Sequence, residues 1–190
     1  MKELRPHLQS FISVHADSID ACEFDFLFAV TASAGIANNE LMEVLMLAGI
    51  EPLKYMIRIP AATFKHSTLT KIEIPGNIEV IGMNAFNGAE IEEISIPEGV
   101  ESINGLAFAS CKALRKVWLP STLDSLGAGI FNQALNLEHI YYNGTRDQWN
   151  KIRGANNPET NRFTWYALPS TLEQSRCILH FSDGEMRIKL

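Results

Sequence analysis

Ile94 to Leu114 reads ISIPEGVESINGLAFASCKAL, and the same frame returns on both sides of it. Upstream, Ile72 to Ile91 reads IEIPGNIEVIGMNAFNGAEI; downstream, Val117 to Leu137 reads VWLPSTLDSLGAGIFNQALNL. Pro75, Pro97 and Pro120 are spaced by 22 and 23 residues, and Phe86, Phe108 and Phe131 repeat the same two intervals. A composition bias would let those columns drift, so the register marks a chain built from repeated structural units.

Other apolar columns keep step: Ile78, Val100 and Leu123; Ile81, Ile103 and Leu126; Ile91, Leu114 and Leu137; Ile94, Val117 and Ile140. A degraded unit precedes them, because Met56, Ile59, Phe64, Leu69, Ile72 and Ile74 follow the spacing of Ile78 to Ile96. The array therefore starts near Pro52. It ends near Tyr142, which holds the place of Leu119 but is followed by Asn143 instead of proline.

The columns have physical reasons. In Leu114 to Leu119 (LRKVWL), Val117 and Leu119 alternate with Lys116 and Trp118, which in a strand sends the first pair inward and the second outward. Proline then stops the strand. Each Phe lies half a repeat away, where it closes the opposite wall of the coil against the Phe of its neighbours. One coil cannot bury its apolar face, whereas about four stacked coils can. An ordinary sandwich of short strands would show no such long period.

The pattern of apolar-x-x-Ile-x-Ile-Pro followed by Val-x-x-Ile and Ala-Phe, clearest from Ile91 to Phe108, resembles the BspA-type leucine-rich repeats. Ile140 to Ile152 (IYYNGTRDQWNKI) is similar to the tail that closes such arrays, and Cys177 to Ile188 (CILHFSDGEMRI) to the hairpin that often follows. Ala48 to Tyr55 (AGIEPLKY) resembles the end of a helical lead-in found in bacteriophage leucine-rich repeat proteins. The resemblance implies an α+β repeat solenoid of about four leucine-rich repeat coils with short parallel strands. It also implies a helical N-terminal cap over residues 1–51, repeats over 52–143, and a C-terminal cap of helical turn plus β-hairpin over 144–190.

A solenoid exposes core at both ends, so caps are expected on physical grounds too. Leu4, Leu8, Phe11 and Ile12 have helical spacing, as do Phe24, Leu27 and Val30. Leu41, Val44, Leu45 and Ala48 suggest a third helix from near Asn39 to Gly49. At the other end, Asp147 to Arg153 suggests one or two helical turns, and two strands flanking Ser182-Asp183-Gly184 a hairpin. Trp149 and Trp165 read as aromatics that seal the last coil, with a surface anchor as the other reading.

Charge and composition exclude several classes. The formal charge is −6 and Lys and Arg are scattered, so there is no basic footprint for nucleic acid. Phe26 to Val30 and Val44 to Ile50 are far shorter than the roughly 20 residues that span a bilayer. Met1 to Ser10 has no apolar run or cleavage site behind it, and Cys22, Cys111 and Cys177 are odd in number and far apart. Both point to a cytoplasmic protein with reduced thiols. Asn143-Gly144-Thr145 then reads as a turn and not as a glycosylation site.

Catalytic, cofactor and metal motifs are not expected. Cys111, between Phe108 and Leu114, reads as a small core hydrophobe. His7, His15, His66, His139 and His180 are scattered singly, and Cys177 and His180 fall on opposite faces of a strand. Asp17, Asp20, Glu23 and Asp25 lack the Gly and terminal Glu of a calcium loop.

What remains is the outward strand face. Lys71, Glu93, Lys116 and His139 should form one exposed column, and Glu73, Ser95, Trp118 and Tyr141 the next. Trp118 beside Tyr141, rimmed by Glu93, Arg115, Lys116 and His139, has the composition of a protein-binding hot spot. The same Trp would equally serve to cover a groove. Three classes stay open: a non-enzymatic interaction module for a protein partner, such as a phage-encoded inhibitor or adaptor acting on a host defence protein; a structural or adhesive, self-associating component of a phage particle or cell surface; and an enzyme, for which no residue set suggests a reaction.

Overall fold

The computed structural model describes residue 27 and residues 37–47, 51–154 and 177–187 of the 190-residue chain. From Met56 to Tyr142 the chain winds as a solenoid of about four turns, because the apolar columns of the sequence can be buried only by stacking one unit on the next.

Two parallel ladders run along it. The first joins β1 (Arg58–Ile59), β2 (Val80–Ile81), β4 (Ser102–Ile103) and β6 (Ser125–Leu126) in that order. Their register sets Ile59, Ile81, Ile103 and Leu126 in one inward row, each buried. The second joins β3 (Glu93–Ser95), β5 (Lys116–Leu119), β7 (His139–Tyr142) and β8 (Ile178–Phe181) in parallel, with β9 (Gly184–Arg187) added antiparallel to β8. Here Ile94, Val117, Ile140 and Leu179 face the core.

The phenylalanines form a third wall. Phe64 stacks on Phe86 with centroids 5.0 Å apart, Phe86 on Phe108 at 5.1 Å and Phe108 on Phe131 at 5.8 Å. The spine is thus four rings long, and the degraded first unit contributes its own ring. The backbone around it takes neither strand nor helix form. Residues two before and two after each Phe have positive φ, from Ala62 (56°) and His66 (58°) to Gly129 (66°) and Gln133 (61°). This alternation aims every second N–H along the axis: those of Ala62, Phe64 and His66 donate to the carbonyls of Met83, Ala85 and Asn87 at 2.9, 2.7 and 2.8 Å.

The coils also approach too closely for side chains at some points. A Cβ on Gly82 would lie 2.6 Å from the Ile59 carbonyl oxygen, and one on Gly154 (φ 83°) would collide with that of Leu126.

Upstream of the coils, α1 (Asn38–Leu47) buries Leu41, Met42 and Leu45 in the common core, and Asn38 donates its side-chain amide to the Ala61 carbonyl at 2.7 Å. The expected helix is therefore present, starting one residue early. Leu27 packs against the same core. The expected helix near Leu4 to Ile12, the remainder of the one near Phe24 to Val30, the Val44 side chain, Ala48 and Trp165 lie outside the described residues.

At the other end, α2 (Arg146–Trp149) begins on a capping box in which Thr145 and Gln148 exchange side-chain to backbone hydrogen bonds. It is one turn long and ends before Ile152. Of the one or two turns expected only one forms, because the Arg153 carbonyl accepts from Leu126 at 2.8 Å and Arg153 bridges Ser125 as a further parallel rung. Trp149 is buried edge-on to Tyr142 and Phe181, at 5.1 and 6.2 Å, as expected of a sealing aromatic. The hairpin of β8 and β9 turns at Ser182-Asp183, and β8 adds in parallel to β7.

Candidate functional site

The outward face of the second ladder carries the residues singled out in the sequence. Register places Glu93 opposite Lys116 and Lys116 opposite His139, with Ser95, Trp118 and Tyr141 in the adjacent row. Both columns therefore exist from Glu93 and Ser95 onward. Strand alternation produces them: along β5 and β7 the buried Val117, Leu119, Ile140 and Tyr142 force Lys116, Trp118, His139 and Tyr141 outward, where each is half-buried.

The columns are shorter at one end than expected. Lys71 and Glu73 belong to no strand, and Ile72 is only partly buried. Among the described hydrogen bonds, the first coil meets the second on this side through Glu90 N to the Ser67 carbonyl and Glu92 N to that of Thr70, at 3.0 and 3.1 Å. Where the ladder lapses, a groove of about 440 Å³ opens between Lys71, Glu73, Glu93, Ser95, Pro97 and Trp118. Ser95 is small, so Trp118 forms its wall.

At the other end the face is longer than the sequence indicated. β8 continues the register, setting His180 beside Tyr141. Trp118 stacks on Tyr141 at 5.3 Å and 12°, and Tyr141 on His180 at 4.4 Å and 13°. His139 leans on the same pile, 5.7 Å from Tyr141, and its Nδ1 lies 3.0 Å from His180 Nε2. Glu185, one strand further, places Oε2 3.5 Å from His180 Nδ1. His180 and Glu185 were missed because they join the site only through pairing of β7 with β8. The signal available was the alternation of ILHF, which turns His180 to the side opposite Cys177, Leu179 and Phe181.

Charge on the face is largely paired. Lys116 Nζ sits 2.8 Å from Glu93, and that hydrogen bond together with the carboxylate's charge raises the lysine pKa. Arg115 meets Glu138 at 3.5 Å. Of the six predicted residues, Trp118, Tyr141 and His139 are brought into one aromatic cluster, Lys116 and Glu93 into an ion pair beside it, and Arg115 into a separate pair.

Among the described residues neither thiol is set up as a nucleophile. Cys111 is buried, its Sγ lies 3.0 Å from the Phe86 carbonyl oxygen, and burial pushes its pKa up to about 11. Burial pushes Cys177 up to about 12. Both favour the neutral thiol and not the reactive thiolate. Among the described residues no three His, Cys, Asp or Glu side chains converge as a metal site, and no helix is long and apolar enough to cross a membrane.

The model of the BspA type leucine-rich repeat region matches residues 36–153 in six copies, a span that takes in α1 and α2 as well as the coils. A crystal structure of a leucine-rich repeat protein from Bacteroides ovatus ATCC 8483 is 36% identical, with a TM-score of 0.44 over 46% of this chain. A leucine rich cell surface protein from Faecalibacterium prausnitzii A2-165 is 26% identical, with a TM-score of 0.42 over 52%. This chain covers 23% and 33% of those two structures. No curated protein matches it. Repeats of this kind generally mediate protein–protein interaction and are typically non-enzymatic. With more than half of its length accounted for by one repeat model, the chain belongs to the BspA type leucine-rich repeat family.

Proposed function

We propose that this array is a non-enzymatic binding module that presents the outward face of β3, β5, β7 and β8 to a protein partner. Trp118, Tyr141 and His180 form the anchor, and Glu93, Arg115, Lys116 and His139 its charged and polar surround. The observation that carries the reading is the ring pile itself: three large rings, each half-buried, are held in strand register on the outside of a rigid coil instead of inside it. Rigid aromatics lose little entropy on binding, which is why they dominate interface energetics. The groove beside Trp118 gives a partner side chain a place to insert.

Affinity capture from a lysate with the intact chain and with the Trp118→Ala, Tyr141→Ala double variant tests this. The variant should lose about 2 kcal/mol or more of binding, roughly 30-fold in Kd, with an unchanged circular dichroism spectrum. Equal capture by both chains would overturn the choice of face. The finer reading is an inhibitor or adaptor encoded by a bacteriophage and acting on a host defence protein in the host cytoplasm. It is supported by the resemblance of Ala48 to Tyr55 to a phage lead-in. A captured host protein whose activity falls on binding is the expected outcome. Self-association seen by size measurement, with no partner captured, would instead favour the structural or adhesive role.

A further inference from the structure

We propose that His139 and His180 form a two-imidazole site for a divalent transition-metal ion, zinc foremost, on the outer face of the solenoid. The two residues are 41 positions apart in sequence and meet only because β8 pairs in parallel with β7. His139 Nδ1 and His180 Nε2 are 3.0 Å apart, so one ring donates a proton to the other's lone pair. Two nitrogens at that separation can each reach one zinc ion at ~2.0–2.1 Å with an angle at the metal near ~90°, and a few tenths of an ångström of opening gives the tetrahedral angle. The imidazole χ2 torsion is soft, so both lone pairs can turn from the shared line to a common outward point.

Three further features fit metal binding. Glu185 Oε2 lies 3.5 Å from His180 Nδ1, the nitrogen that would not bind the ion, where a carboxylate can orient the ring. Both rings are half-buried, with His180 stacked on Tyr141 at 4.4 Å, so the pair stays at the edge of the ring pile with part of each ring open to solvent. The neighbouring ammonium of Lys116 is engaged by Glu93 at 2.8 Å, so its charge is compensated on the side away from the pair. Imidazole donors suit zinc, copper and nickel over magnesium or calcium. With two protein ligands, the remaining positions belong to water or to a donor from a bound partner. The site stands on these two rings and does not depend on the partner reading above.

Zinc titration of the full chain at neutral pH, followed by calorimetry, tests it. We expect saturable 1:1 binding, a loss of at least 10-fold in affinity on His139→Gln or His180→Gln, and a smaller loss on Glu185→Gln. His66→Gln, a solitary exposed histidine, should leave the affinity unchanged. Imidazole 15N spectra of the intact chain provide a readout independent of folding: zinc should shift His139 Nδ1 and His180 Nε2 and leave their other nitrogens protonated. Absence of saturable binding up to millimolar zinc would overturn the proposal, as would binding that survives the His139→Gln, His180→Gln double variant.

Discussion

Single residues carry more of this fold than their chemistry suggests. Leu106 holds a φ of 59°, a left-handed conformation that costs an ordinary L-residue about 1–2 kcal/mol, and it does so with its side chain about one-third exposed. Leu106→Asn should therefore leave the melting temperature unchanged or raise it, whereas Leu106→Val, with a β-branched side chain in that region, should lower stability by about 1 kcal/mol or more. A thermal melt of both variants checks the sign. Phe108, flanked by rings on both sides and fully buried, is the opposite case: Phe108→Ala should cost about 3–5 kcal/mol because neighbouring rings held in backbone register cannot collapse into the void. The phenylalanine columns were legible in sequence, since burial demands an apolar residue at each repeat. The left-handed positions were not. Ala62, His66, Asn84, Leu106, Ser110 and Gln133 share no side-chain type, because what they have in common is a backbone angle imposed by stacking.

Between elements, polar staples tie one coil to the next. The Glu98 carboxylate accepts from Ser121 N and Oγ at 3.1 Å, from Thr122 N at 3.3 Å and from the Asn143 amide at 2.9 Å, joining three successive turns. Partial burial by itself would raise its pKa, but the hydrogen bonds from Asn143, Ser121 and Thr122 outweigh it, and the pKa is lowered. A carboxyl group with a lowered folded pKa contributes stability that is fully present above its ordinary range and is lost as pH falls through the folded value. Thermal melts should show an acid-side decline that becomes shallower in Glu98→Gln; an identical decline in both chains would assign the effect elsewhere. This staple also explains Asn143 at the place where earlier coils have Pro97 and Pro120. Its backbone N–H donates to the Leu119 carbonyl at 3.0 Å, which proline could not do. The loss of the proline could be read in the sequence as the end of the array, but the carboxylate it serves lies 45 residues away and left no local mark.

For the molecule as a whole, each coil touches mainly its neighbours, so protection should be graded along the axis. Hydrogen exchange should be slowest at amides flanked by coils on both sides, such as those of Phe86 and Phe108, and faster in the first coil, where Lys71 and Glu73 lack a strand partner. Uniform protection from end to end would contradict that picture. Periodicity alone determined the repeat, its register, the inward rows, the Phe spine and which side chains of β5 and β7 face outward, because those follow from a strand's alternation and from the need to bury the same face once per turn. Tertiary structure decided the rest: that the ladder lapses at Lys71 and Glu73 to open a groove, that the hairpin adds to β7 and brings His180 onto Tyr141 and His139, and that Glu98 binds three coils together. These are pairings between segments distant in sequence, fixed by which backbone edge is left unpaired once the coils have stacked, and no local pattern encodes an edge.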